Sequence, residues 1–121
     1  MKRVLTIGFI PELIDFSTMP HLNAEKVRAG LDADRRALIA AGYDARQLLV
    51  DLGETAEAVI ANELTATSFD CVLIGAGIRS LPTHFLTFEK IINVVHAKAP
   101  QDKICFNTSP SDTAASMQRW V

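Results

Sequence analysis

At 121 residues, 49% of them hydrophobic and 21% charged, the chain fits one globular domain over 1–121 and is too apolar for a disordered one. The 12 Lys and Arg against 14 Asp and Glu give a formal net charge of −2, which argues against a nucleic-acid partner because no global basic footprint exists. The longest strongly apolar run, 71–78, is far too short to span a bilayer, and the Met1-Lys2-Arg3-Val4 opening shows no small-residue cleavage site, so neither a membrane segment nor a signal peptide is expected.

Residues 4–10, Val4-Leu5-Thr6-Ile7-Gly8-Phe9-Ile10, read as a first strand, apolar on both faces and therefore central. The connection that follows, 11–22, is much longer than the about two to six residues usual between strand and helix. Asn23 caps a first helix with Glu25 in its first turn, an end at Gly42, and Val27, Leu31, Leu38 and Ala41 on one stripe. Residues 46–52 read as a second strand, less uniformly apolar, as suits an edge. A second helix covers 54–67 with Ala56, Val59, Ile60 and Leu64 inward. The third strand, 70–75, is again apolar on both faces. A third helix runs over about 83–98; Phe85, Leu86, Phe88, Ile91, Ile92, Val94 and Val95 cover more than one stripe, and Pro100 marks its end. Residues 103–107 make a fourth strand. The last helix has the clearest start signal, Ser109-Pro110-Ser111-Asp112: a serine cap, a proline at the first helical position and an acid completing the capping box.

Strict strand–helix alternation predicts an α/β domain: a doubly wound, four-stranded parallel sheet with helices on both faces, joined by right-handed crossovers. Strands one and three belong in the centre, which gives the order 2-1-3-4. The stretches Asp70-Cys71-Val72-Leu73-Ile74-Gly75-Ala76-Gly77-Ile78-Arg79 and Ile104-Cys105-Phe106-Asn107-Thr108-Ser109-Pro110 extend this pattern. On them the chain resembles the doubly wound domains of flavodoxins and phosphoacceptor receivers, and more closely small single-domain bacterial proteins of that type with no assigned function. The resemblance implies the flavodoxin-like fold with its fifth strand missing. It does not extend to receiver chemistry, because the first strand ends Gly8-Phe9-Ile10 and the third ends Ile74-Gly75, without the acids a receiver places there.

In such sheets a ligand sits outside the carboxyl ends of the strands where the order reverses, here between strands one and three. The 11–22 connection carries Glu12, Asp15 and His21 among Leu13, Ile14, Phe16 and Met19, a mixture suited to a mobile lid that orders on binding; the plainer alternative is a packed loop with solvated charges. In Gly75-Ala76-Gly77-Ile78-Arg79-Ser80, glycines let backbone N–H groups approach an anion and Arg79 offers a forked donor, or else the glycines merely turn the chain. It is a poor dinucleotide fingerprint: Ser80 replaces the third glycine, and no helix is expected to open at once. Asn107 and Thr108 end the fourth strand beside that loop and are further ligand-binding candidates, while Ser109 reads as a cap. His84, near the start of the third helix, and His21 are the candidate proton carriers; the alternative for His84 is a residue facing solvent. His96 has no assigned chemistry.

Two cysteines without paired Cys/His spacing suit reduced thiols and a cytoplasmic setting. Cys71 and Cys105 lie inside apolar strands, where thiols behave as small hydrophobes, and are expected on opposite sheet faces. Glu12, Asp15, His21 and His84 lack metal-ligand spacing, so no metal is expected and no cofactor is implied. The residues thus point to a domain that binds a small molecule, with an anionic ligand as the favoured kind. Two alternatives stand: a small enzyme at the same cleft, with His84 or His21 moving a proton and Arg79 as clamp, and a structural or interaction module. A homo-oligomer is also expected, because strand four is an edge of Ile104, Cys105 and Phe106, the third helix has surplus apolar positions, and Trp120 ends the last helix.

Overall fold

In the computed structural model, which describes residues 1–121 apart from the side chain of Pro110, the apolar runs become four parallel strands. These are β1 (Arg3–Phe9), β2 (Asp44–Val50), β3 (Cys71–Ile74) and β4 (Lys103–Phe106), in the spatial order β2-β1-β3-β4. The expected order is the observed one, and every pairing is parallel. β3 holds the centre with all of its side chains buried, as a strand covered on both faces must. β2 starts at Asp44 rather than Arg46; Arg3 faces Asp44 across the pair and bonds its carboxylate at 3.0 Å.

The helices are α1 (Ala24–Ala40), α2 (Ala56–Ala66), the single turn α3 (Ala76–Arg79), α4 (Phe85–Lys98) and α5 (Thr113–Gln118). Asn23 caps α1 as expected, its Oδ1 accepting the Lys26 N–H at 2.8 Å. The end of α1 is a Schellman motif: the Tyr43 N–H reaches Leu38 O at 3.1 Å, the Gly42 N–H reaches Ile39 O at 3.0 Å, and Gly42 takes φ +96°. The expected third helix is present as α4, but a separate helical turn precedes it, contrary to the reading that no helix opens at the glycine loop. α3 opens at Ala76, a 3-10 turn follows at Pro82–His84, and α4 begins at Phe85. Pro82 accounts for the break, since it holds Leu81 extended at φ −99°, ψ 128°. A 3-10 turn, Pro110–Asp112, likewise precedes α5 and carries the Ser109–Asp112 capping box.

The sheet separates two cores. Leu5, Ile7 and Ile74 meet Ile60, Ile78 and Ile91 on the α2/α4 side. Val4, Cys71, Leu73 and Cys105 meet Leu38 and Met117 on the α1/α5 side. Val59 and Ala41 are exposed rather than inward: Ala56, Ile60 and Leu64 define the buried stripe of α2, and Ala41 has already left α1.

The cysteines correct a second expectation, for they share one sheet face. The register pairs Leu73 with Cys105 and Cys71 with Lys103, so Cys71 and Cys105 stand two positions apart on the same side of the pleat. Their Sγ atoms lie 3.5 Å apart as buried free thiols. The hydrogen bond to Cys105, together with burial, pushes the Cys71 thiol far above its ordinary range, which suits a packing role rather than a nucleophile.

Two half-buried aspartates tie chain turns to helix starts. Asp51 accepts from the Thr55 hydroxyl at 2.5 Å and from the N–H groups of Gly53, Thr55 and Ala56. Asp112 accepts from the Thr108 hydroxyl at 2.6 Å and from the Thr108 and Ser109 N–H groups. The threonine hydroxyls first, and these N–H groups after them, hold both carboxyls below the ordinary 3.8. A pKa lowered by folding gives stability that is present above the unfolded value and lost as pH falls through the folded one. Asp34 and Asp102, raised chiefly by burial, act in the opposite sense, losing stability as pH rises through their folded values. In urea titrations at a series of pH values, Asp51→Asn/Asp112→Asn should therefore show a shallower loss of stability below pH 3.8 than the wild type. Identical acid limbs would refute this assignment.

Candidate functional site

A cleft forms where one face of β1 runs short of side chain. Toward α2 and α4, β1 carries Leu5, Ile7 and Phe9; toward α1 it carries Val4, Thr6 and Gly8, so volume falls along the strand. The result is a cavity of about 310 Å³ at the carboxyl ends of β1 and β3, where the strand order reverses. Thr6, Gly8, Leu49 and Leu73 form its sheet side. Val27, Leu31 and Asp34 of α1 face them, and Ile14, Phe16, Met19 and Leu22 enclose the cavity from the 11–22 segment. Gly75, Ala76 and Gly77 line the β3 end, with Asn107, Thr108 and Thr113 beside them.

Several expected ligand contacts thus converge: Gly75, Ala76, Gly77, Asn107 and Thr108 all line one cavity. Gly75 has a steric reason to be glycine, because a Cβ there would stand 3.1 Å from Ile7 O, the atom its own N–H reaches at 2.9 Å. Much of the loop's backbone is engaged internally. The Ala76 N–H donates to Asn107 Oδ1 at 2.8 Å, Ile78 to Gly75 O at 3.1 Å, and Ser80 to Ala76 O at 2.8 Å.

Other candidates lie outside the lining. Arg79 donates to Asn107 O and sits 5.7 Å over the Phe106 ring, bracing α3 against β4 rather than reaching into the cavity. The one-turn helix sets that direction. Glu12 is bound by the guanidinium of Arg28 on α1, with Nε 2.7 Å from Oε2, and this hydrogen bond holds its carboxyl below the ordinary range. It anchors the 11–22 segment to α1. His21 is exposed, and its carbonyl accepts from Lys26 Nζ at 3.2 Å. His84 packs edge-on against Phe9, with ring centroids 4.7 Å apart. Among the described residues, no three of His, Cys, Asp or Glu gather as a metal-ligand set.

Asp34 also lines the cleft, although no sequence motif singles it out. Its Oδ2 accepts from Thr113 Oγ1 at 2.7 Å, Thr113 Oγ1 accepts from Asn107 Nδ2 at 2.9 Å, and Asn107 Oδ1 takes the Ala76 N–H. A polar chain therefore links α1, α5, β4 and the glycine loop along one wall of the cavity. Burial raises the Asp34 carboxyl, against the Thr113 hydrogen bond, and the nearby Asp112 carboxylate raises it further. Asp34 is the one lining residue among those described with a formal charge. Gln47 also lines the cavity, and its Nε2 donates to Leu31 O at 3.1 Å.

A hollow of about 510 Å³ lies between α2 and α4, but it is an open surface groove bordered by Glu57, Glu89, Lys90 and Lys98. It lacks the enclosure and converging polar groups of the β1/β3 cleft. Comparison with protein-family models and with curated proteins yields no match. Among the described residues, no helix is long and apolar enough to cross a membrane.

Proposed function

We propose that the protein binds a small molecule in the cleft at the carboxyl ends of β1 and β3, with the 11–22 segment as its movable wall. The observation that carries this reading is the partly enclosed, largely apolar cavity of about 310 Å³ with a few converging polar groups, the usual form of a small-molecule site. A pure interaction module has no need of such a cavity. The enzymatic alternative has less support, because neither His84 nor His21 lines it. An anionic ligand also has less support, since Arg79 is engaged elsewhere and Asp34 is the lining charge.

Filling the cavity tests the reading. A Cβ at Gly8 meets Leu49 Cδ2 at 3.6 Å, an ordinary contact, so Gly8→Leu adds bulk inside the cleft without a backbone clash at Cβ. In NMR titrations with a panel of small amphipathic molecules, binders should shift the amides of Gly8, Gly75 and Ala76 and slow hydrogen exchange over 11–22. Gly8→Leu should weaken each binder by about tenfold or more, or about 1.4 kcal/mol and upward. Unchanged affinity in that variant, or a panel that leaves these amides untouched, rejects the site.

The same reading includes self-association. β4 is an edge strand, and Phe85 and Leu86 open α4 with 63% and 61% of their surface exposed. Surplus apolar surface beside an unpaired edge suits a second copy. Light scattering should return a mass near twice 13.2 kDa at micromolar concentration, and Phe85→Ser/Leu86→Ser should return the monomer. A wild-type mass of 13.2 kDa rejects association.

A further inference from the structure

Resting on the cleft as a ligand site, we propose that its ligand is a small amine: a compact apolar body whose protonated nitrogen is seated against Asp34. Three observations converge on that chemistry.

The first is charge. Among the described residues that line the cavity there is no Lys, Arg or His, and Asp34 is the single formal charge. The acid has no ion-pair partner among the described residues, although Asp32, two positions earlier on α1, pairs with Arg36 at 2.8 Å. A partly desolvated carboxylate without a countercharge is costly, and a bound cation would supply the missing partner.

The second is orientation. Thr113 donates to Oδ2, and Asn107 in turn donates to Thr113, so the carboxylate is held by a wired side-chain chain rather than left to rotate. Oδ1 then remains as an acceptor. Gln47, whose Nε2 is directed to Leu31 O, keeps its amide oxygen as a second acceptor in the same lining. These two acceptors favour a ligand rich in donors.

The third is shape. The wall that α1 and the 11–22 segment supply is, apart from Asp34, aliphatic or aromatic: Ile14, Phe16, Met19, Leu22, Val27 and Leu31. An apolar body fits against it, while a phosphate or carboxylate would meet hydrocarbon on one side and Asp34 on the other. Burial and Asp112 raise the Asp34 carboxyl, a strain that a neighbouring ammonium would relieve.

The test uses three probes that share one apolar body: 2-phenylethylamine, 2-phenylethanol and 3-phenylpropionate. Each is titrated into the full chain and followed by the amides of Gly8, Gly75 and Ala76. The amine should bind about tenfold tighter than the alcohol, the scale of one charge-assisted hydrogen bond, and the carboxylate should bind weakest. Asp34→Asn keeps an acceptor for Thr113 and should bring the amine to the level of the alcohol. Alcohol binding as tight as the amine in the wild type, or an amine preference that survives Asp34→Asn, overturns the inference and leaves the cleft reading standing. Failure of all three probes to move the cleft amides rejects both.

Discussion

Ile74→Ala should destabilise the domain by about 2–5 kcal/mol, the range for removing most of a buried aliphatic side chain from a packed core. Ile74 is fully buried on central β3, in the cluster that holds Leu5, Ile7, Ile78 and Ile91. It is flanked by β1 and β4 and shares its cluster with Ile78 of α3 and Ile91 of α4, so the gap cannot collapse without moving several elements. Ile39 supplies the contrast. The same residue type, on α1, is 50% exposed, and Ile39→Ala should change stability by no more than about 0.5 kcal/mol. Urea unfolding midpoints of the two variants measure the difference, and equal shifts would sink the two-core description.

Much of the architecture is legible in the sequence because it rests on periodicity. The patterns in 4–10 and 70–75 place β1 and β3 at the centre, and Asn23 and Gly42 mark the ends of α1 with the cap and the φ +96° turn that those residue types serve. The cleft is legible in part: the long 11–22 connection and the strand-order reversal locate it, and Ile14, Phe16 and Met19 do turn inward. The tapering Val4-Thr6-Gly8 face of β1 is a further signal, masked when the strand is read only as apolar on both sides. Asp34 is visible in principle as well. It stands on the inward stripe of α1 between Leu31 and Leu38, but the neighbouring Asp32, Arg35 and Arg36 make the stretch look like a solvated face. Arg79 is less legible, since its direction depends on α3 opening at Ala76, which is a matter of tertiary contact through Asn107. The cysteine faces depend on strand register, and a slip of one residue reverses them.

Asn107→Ala should cost about 1–3 kcal/mol and loosen the glycine loop selectively. The side chain is buried and serves both neighbours at once: Oδ1 accepts the Ala76 N–H at 2.8 Å, and Nδ2 donates to Thr113 Oγ1 at 2.9 Å. Truncation removes the acceptor from the first residue of α3 and the donor from the chain that orients Asp34. The penalty stays below that of a sealed core polar group, because the adjacent cavity admits water to the abandoned partners. Asn107 O still accepts from Arg79, so the loop remains braced against β4 and the fold persists. Hydrogen exchange at the Ala76 amide should therefore accelerate far more than exchange in β3. Thr113→Val provides the second arm of a cycle, and the pair should couple by about 0.5 kcal/mol or more, as members of one network do. Additive effects with unchanged Ala76 exchange would show that the chain from the glycine loop to Asp34 carries no energy. If the cycle instead shows coupling, the wall that holds Asp34 is wired to the loop across the sheet. A ligand seated on Asp34 would then stiffen Gly75–Gly77 as well as the 11–22 segment.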